Sequence, residues 1–343
     1  MKQYYTYSEI KEIPVLIKQL LKGQFDWSEV LKLLKASQNI FFIGSGSAAH
    51  AALFGYYLFN QVIKKRVYWS WASEFDHLLN QVTKGSVIIA VSQSGASVDI
   101  LKAIRTAKKK GAQIIALTNN SLSPLAKISD YLIDIKVGEE RSVLATKSYV
   151  FQLIYLVILN WQYQNKTEKY IKNQLGLLFK NIRPFISLNY QKQVIKIGRQ
   201  LKEQEDIYIL GGGLNYPTAL EAALKFKEGN QIHAESFAPG EIKHGILTLV
   251  KEKQWWLAIF DNDQKNQEIK KTIKQIKEKG GRIIGLSSKK NRYFDFWLKV
   301  PALTLICSPI INIIPLQLLV YYLARLRGLN PDQPPYLEKI VKK

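Results

Sequence analysis

Cysteine is almost absent from this chain: among 343 residues there is one, Cys307. That excludes a disulfide framework and any metal site built from several cysteines. It also leaves everything ahead of Cys307 without a cysteine nucleophile. Acidic residues are scarce too, 27 Asp and Glu against 49 Lys and Arg, for a net charge of +22. Basic chains of this kind meet nucleic acids, anionic membranes or anionic small molecules. Long apolar runs are missing: LIYLVIL (153–159) and IINIIPLQLLVYYLA (310–324) fall short of the about 20 residues that span a bilayer. The N-terminal MKQYYTYSEIKEIPVLIKQLL has no uninterrupted apolar stretch of a secretory signal. The expected setting is therefore the cytoplasm, with no membrane partner. Neither G-x-G-x-x-G nor a P-loop occurs, so no dinucleotide or nucleoside triphosphate is indicated, and no cofactor is expected. Zinc-finger spacing and an RNA-binding aromatic signature are also lacking. The basic runs, such as Lys64-Lys65-Arg66 and Lys108-Lys109-Lys110, are short and scattered, mostly near predicted helix ends where lysine complements the helix dipole. A nucleic-acid protein concentrates its charge in a stripe or arm, so no nucleic-acid partner is expected.

What the chain does have is a repeat. NIFFIGSGSAAHAALFGYYLFNQV (39–62) and DIYILGGGLNYPTALEAALKFKEG (206–229) each read as an apolar run, a turn of small residues and a helical pattern. SVIIAVSQSG (86–95) followed by KKKGAQIIALTNN (108–120) is matched by QWWLAIFDND (254–263) followed by KEKGGRIIGLSSK (277–289). Each copy thus shows three strands alternating with helices. Short, apolar, β-branched runs are what strands buried on both faces require, and alternation with helices implies a parallel sheet with right-handed crossovers. The expected fold class is α/β, two tandem doubly wound parallel-sheet domains at 36–165 and 201–328. Residues 1–35 form an N-terminal helical segment, 166–200 a charged helical linker and 329–343 a turn-rich tail that would fray if nothing held it. In such sheets function gathers at the carboxyl ends of the strands.

The copies differ where chemistry would sit. In the first, Gly44-Ser45-Gly46-Ser47 and Ser92-Gln93-Ser94-Gly95-Ala96-Ser97 each follow a buried strand and open a helix. A helix N-terminus offers unpaired N–H groups and partial positive charge, serine adds donors, and glycine lets the backbone approach an anion. Two such turns at neighbouring strand ends would surround one phosphate. The plain alternative is that Ser94 or Ser97 merely caps a helix. In the second copy the serine turn has become Asp261-Asn262-Asp263, which would repel a phosphate. That copy instead carries an ionisable stretch, LEAALKFKEGNQIHAESFAPGEIKHGILTLV (220–250), with two of the chain's four histidines. Glu221, Lys225 and Glu228 share one helix face. They read either as a surface ion pair or, since this helix should be a buried crossover, as something more. His233 reads as a satisfied core histidine.

Taken together, SQSGxS, GEERSVLATKSY, YPTALEAALKFKEGNQIHAESFAPGEIKHG and NPDQPPYLEKI, in that order over nearly the whole chain, resemble the tandem sugar isomerase (SIS) family. This family includes the isomerase half of glucosamine-6-phosphate synthase and the SIS-type glucosamine-6-phosphate deaminases. The paired acids and ATKSY of GEERSVLATKSY and the NPDQP tail resemble the deaminases most. The resemblance implies that Gly46, Ser47, Ser92, Gln93, Ser94 and Ser97 hold a sugar phosphate, and that the backbone of Val143 lines the sugar. It implies that Glu228 is the base moving a proton between sugar carbons 1 and 2, with Lys225 supporting it. His244 would assist ring opening, in relatives from across a subunit interface, and Lys339 would lie at the sugar in a tail that folds over the site. A homodimer sharing active sites is implied as well, and no metal. Ala48, Ala145, Gly212 and Ile246 depart from the usual pattern without removing a catalytic group, and they leave the identity of the sugar open.

The residue types suit aldose–ketose isomerisation, which needs a carboxylate beside an acidic C–H, an acid/base for the ring oxygen and a cation near the developing enediolate. The SIS-like region starts almost at residue 1, with no room ahead of it for a glutaminase, so glutamine hydrolysis in cis is not expected. The expectation is a glucosamine-6-phosphate deaminase: glucosamine 6-phosphate and water giving fructose 6-phosphate and ammonia. The alternatives are a fructosamine-phosphate deglycase or other amino-sugar-phosphate isomerase, amination of fructose 6-phosphate by ammonia, and a non-catalytic sugar-phosphate sensor.

Overall fold

The computed structural model describes residues 4–260 and 267–339. The Asp261-Asn262-Asp263 turn lies outside the described residues. Internal contacts divide the chain into two compact units. Of the described residues, the N-terminal unit holds Val15–Arg141, Ala145–Leu177 and those from Glu338. The C-terminal unit holds those up to Pro14, together with Ser142–Leu144 and Leu178–Leu337.

Helix α1 (Tyr5–Leu20) is divided between the units, and α2 (Ser28–Ala36) opens the first copy. There follow β1 (Asn39–Gly44), α3 (Ser47–Asn60), β2 (Arg66–Trp71), β3 (Ser86–Ser92), α4 (Val98–Lys109), β4 (Gln113–Thr118), α5 (Pro124–Ile128), β5 (Tyr131–Asp134), α6 (Lys147–Tyr163) and α7 (Glu168–Ile182). The five strands pair in parallel in the order β2-β1-β3-β4-β5. Every residue of β1 and β3 is buried. Side chains alternate across a strand, so Phe41, Ile43, Ile88 and Ala90 face one layer, where α4 packs Ile100, Ala103, Ile104 and Ala107 at helical spacing. Phe42 faces the other layer and meets Phe59 of α3.

The C-terminal unit repeats this arrangement. After α8 (Leu188–Leu201) come β6 (Asp206–Leu210), α9 (Tyr216–Asn230), β7 (His233–Phe237), β8 (Trp255–Ile259), α10 (Gln267–Glu278), β9 (Arg282–Ser287), β10 (Phe296–Lys299) and α11 (Ser308–Leu326). Its parallel sheet runs β10-β9-β8-β6-β7, the first copy's order strand for strand. Helix α11 is the one helix among the described residues long and apolar enough to cross a membrane, and 83% of that stretch is buried within the protein. Its apolar surface thus serves as core.

Each sheet has five strands where the sequence pattern shows three. The ones it hides are β2, β5, β7 and β10. All four mix buried with exposed positions, so none makes the continuous apolar run by which the central strands announce themselves. In both copies the strand order reverses between the first and third strands, and at such a switch point the loops leaving the two strands diverge and open a crevice.

Candidate active site

In the N-terminal unit this crevice is walled by the two serine turns. β1 and β3 are neighbours in register, so both turns leave the same edge of the sheet. Gly44 ends β1 because nothing larger fits: a Cβ there would lie 2.6 Å from the backbone of Ala48. The chain then turns through Gly46, at φ 54°, into α3. Ser47 is the first residue of that helix and is half-buried. The Ser45 hydroxyl, which was not among the sequence candidates, is buried at this turn with no hydrogen-bond partner among the described residues.

The second turn is braced from several sides. The Ser92 hydroxyl accepts the Gly95 N–H at 3.0 Å. The Gln93 carbonyl accepts the Thr118 hydroxyl and the Asn119 N–H, both at 3.2 Å. The Gly95 carbonyl accepts the Leu125 N–H at 3.0 Å. Gly95 has φ 61°, and a Cβ there would run into the Ser123 side chain. The Ser94 hydroxyl accepts the Ala96 N–H at 3.3 Å. Ser97 occupies the N-cap position of α4, yet its side chain makes no capping bond. Its hydroxyl is therefore available to donate at the positive end of a helix.

This separates two serines that look alike in sequence. Ser97→Ala is expected to leave the melting temperature unchanged and to raise the KM for a phosphorylated sugar about 10- to 100-fold, the worth of one hydrogen bond to a charged group. Ser92→Ala removes the Gly95 bond and is expected to lower stability as well. A stability loss of about 1 kcal/mol in Ser97→Ala, with KM unchanged, would make it a mere cap.

The acidic pair of GEERSVLATKSY is split by the fold. Glu139 is exposed and pairs with Arg141 at 2.7 Å. The Glu140 side chain is fully buried. It accepts the N–H groups of Thr146 and Ser148, each at 3.0 Å, the Ser148 hydroxyl at 2.7 Å and the Lys339 ammonium at 2.8 Å. Lys339, expected at a sugar, is thus held by a carboxylate at the start of α6 within the N-terminal unit. Burial pushes the Glu140 carboxyl up, but the Lys339 ammonium and the bonds from Lys339 and Ser148 outweigh it and hold the group below the usual carboxylate range. A carboxyl depressed in the folded state stabilises above its unfolded pKa, and that contribution is lost as the pH falls through the folded value. Wild type should therefore exceed Glu140→Gln in unfolding free energy at neutral pH, and the gap should shrink as the pH falls below the ordinary carboxylate range. Denaturant titrations at several pH values measure it.

In the C-terminal unit, α9 carries the ionisable cluster, and its cationic centre is buried. The Lys225 side chain is 3% exposed and lies 3.4 Å from Glu221, itself fully buried, and 2.5 Å from Glu228, which is 20% exposed. A surface ion pair is therefore ruled out. Burial alone would pull the Lys225 ammonium down, but the Glu221 and Glu228 carboxylates overcome it and hold the group above the ordinary lysine range. One permanent cation thus serves two carboxylates, and Glu228 is the one that reaches solvent.

Val143, in the short segment Ser142–Leu144, donates its N–H to the Asp332 carbonyl at 2.9 Å. The Asp332 carboxylate accepts the Tyr5 and Thr6 N–H groups at 2.8 and 2.7 Å. It caps the first turn of α1, which anchors the NPDQP stretch that composition alone would leave frayed. His244 follows the short 3-10 turn Glu241–Lys243 and is exposed. His233, expected in the core, is instead exposed at the start of β7, where its ring pairs with Asp206 at 2.8 Å. Strand β7 lies at the sheet edge, and its first residue falls outside the covered face. Cys307 is buried, with its thiol pushed up to about 11 by that burial, which makes it a poor nucleophile. Among the described residues no group of three or more His, Cys, Asp or Glu side chains is arranged to hold a metal ion.

Comparison with known proteins gives a consistent result. The SIS domain family matches residues 32–159 and again 200–327. The glutamine–fructose-6-phosphate aminotransferase [isomerizing] of Thermococcus kodakarensis is 34% identical over 98% of this chain and 58% of its own length. The enzyme of the same name from Pyrococcus horikoshii is 33% identical over 99% of this chain and 58% of its own. The chain therefore spans less than two thirds of the length of these relatives. Among solved structures, the C-terminal domain of glucosamine-fructose-6-phosphate aminotransferase from Francisella tularensis superposes with a TM-score of 0.86 at 28% identity, over 97% of this chain and 99% of that one.

Proposed function

The chain belongs to the SIS domain family and carries the domain twice, and from that premise we propose that it is a sugar-phosphate isomerase acting on an aminated hexose 6-phosphate. The observation that carries the proposal is the α9 cluster. A carboxylate that reaches solvent, Glu228, is backed by an ammonium that a second, fully buried carboxylate keeps charged. That is the equipment for moving a proton beside a carbonyl: a base, and a cation to oppose the negative charge that develops when the C–H bond breaks. The braced serine turns of the N-terminal unit are suited to holding a phosphate, the kind of interaction that positions a substrate.

In its finer form the proposal is a glucosamine-6-phosphate deaminase. His244 moves the proton that opens the sugar ring. Glu228 takes the proton from carbon 2 of the open aldehyde and returns it to carbon 1, leaving a ketose imine at carbon 2. Water adds to the C=N bond, its oxygen becomes the ketone oxygen and the nitrogen leaves as ammonia, so that fructose 6-phosphate remains. Lys225 supports Glu228, Lys339 is the cation assigned to the sugar, and a homodimer is part of the proposal. A second reading runs the same steps backwards, from fructose 6-phosphate and ammonia. It is favoured by the names of the relatives, which are aminotransferases.

Ammonia and fructose 6-phosphate are measured from glucosamine 6-phosphate, its N-acetyl derivative and a fructosamine 6-phosphate, and amino-sugar formation is measured from fructose 6-phosphate with ammonium. Release of ammonia from glucosamine 6-phosphate above the other two supports the deaminase. Amino-sugar formation with negligible release favours the second reading. Inactivity on all four sinks both.

A further inference from the structure

A cavity of about 670 Å³ opens in the N-terminal unit beside the amino ends of β1 and β2, within the range of small-ligand sites. The serine turns leave the carboxyl ends of β1 and β3. β1 is six residues long, so about 17–20 Å of strand separates the two places, too far for one small ligand to fill both. The lining includes Lys64, Lys65, Arg66, Asn39, Gln81 and Thr83, and no carboxylate. Lys65 is committed to structure, since its ammonium donates to the Leu34 and Lys35 carbonyls at the end of α2. Lys64 and Arg66 are exposed, and neither side chain has an ion-pair or hydrogen-bond partner among the described residues. Three successive cations with no acid beside them repel one another, and an anion in the cavity relieves that repulsion.

Asn39 adds a second, independent signal. It is 8% exposed, and its amide nitrogen donates to the Gln81 carbonyl at 2.8 Å. Its side-chain oxygen is buried with no partner. An unpaired buried acceptor disfavours the empty state, and an anionic oxygen cannot satisfy it. A hydroxyl can. We propose that this cavity is a second ligand site, distinct from the serine turns, which takes a phosphate monoester carrying a free hydroxyl: the phosphate meets Lys64 and Arg66, and the hydroxyl donates to Asn39.

The test is equilibrium dialysis of labelled glycerol 3-phosphate against the full chain at low salt, with inorganic phosphate as the probe lacking the carbon-borne hydroxyl. Two sites per chain are expected. The double change Lys64→Gln with Arg66→Gln should weaken one of them about tenfold or more, and Ser94→Ala with Ser97→Ala should weaken the other. Asn39→Leu should weaken glycerol 3-phosphate at the first of these sites and leave inorganic phosphate there unchanged. Thermal melts confirm that each variant folds, and the lysine and arginine positions are exposed enough to change safely. Binding that the Lys64 and Arg66 changes leave unaltered at every site overturns the proposal, whereas loss of only the site sensitive to the Ser94 and Ser97 changes bears on the serine turns alone. An Asn39→Leu variant that binds glycerol 3-phosphate as the wild type does overturns the hydroxyl assignment.

Discussion

Glu228→Gln is expected to lower kcat on glucosamine 6-phosphate by about 10²–10⁴-fold, the usual worth of a positioned general base, with little change in KM. The amide keeps the shape of the carboxylate and can still meet Lys225, so the helix is preserved and only the ability to accept a proton is lost. Such a split between kcat and KM is the signature of an interaction made in the transition state. It also separates an enzyme from a sugar-phosphate sensor. A sensor binds its ligand without proton transfer and would be indifferent to this change. A variant with wild-type kcat would remove Glu228 from the mechanism.

The second large effect belongs to Lys225. Its side chain is 3% exposed and lies between Glu221, fully buried, and Glu228. Lys225→Met fills a similar volume without charge and leaves the Glu221 carboxylate buried with no cation. Breaking a buried pair from one side costs about 3–5 kcal/mol, so denaturant unfolding should reveal a loss of that size. The double variant Lys225→Met with Glu221→Gln removes the stranded charge and should recover most of the stability. It should not recover activity, because the cation that supports Glu228 is still missing. Full recovery of activity in the double variant would show that Lys225 serves only to satisfy Glu221.

The serine turns and the α9 cluster were legible in the sequence for different reasons. The serine turns show because β1 and β3 are continuous apolar runs and the turns stand directly at their ends. The α9 face shows because Glu221, Lys225 and Glu228 recur at helical spacing. Periodicity cannot tell whether such a face looks at water or at a second layer, and the burial of Lys225 settles that point. The edge strands were illegible because each is only partly covered. His233 was misjudged for the same cause, since it begins edge strand β7. The buried role of Glu140 could not be read from spacing: its partner Lys339 lies 199 residues away. A signal did exist in the hydroxyls of Thr146 and Ser148 that follow it, since a carboxylate shortly before such residues at a helix start is a common way to satisfy the first N–H groups.

Solvent isotope incorporation tests the central claim most directly. When the protein converts glucosamine 6-phosphate in deuterium oxide, a proton moved by a side-chain carboxylate that exchanges with solvent places deuterium at carbon 1 of the fructose 6-phosphate. Wild type should show that label along with ammonia, and Glu228→Gln should lose product and label together. Fructose 6-phosphate formed with no deuterium at carbon 1, or label and turnover undiminished in Glu228→Gln, would contradict the assignment of this chain as an isomerase that works through Glu228.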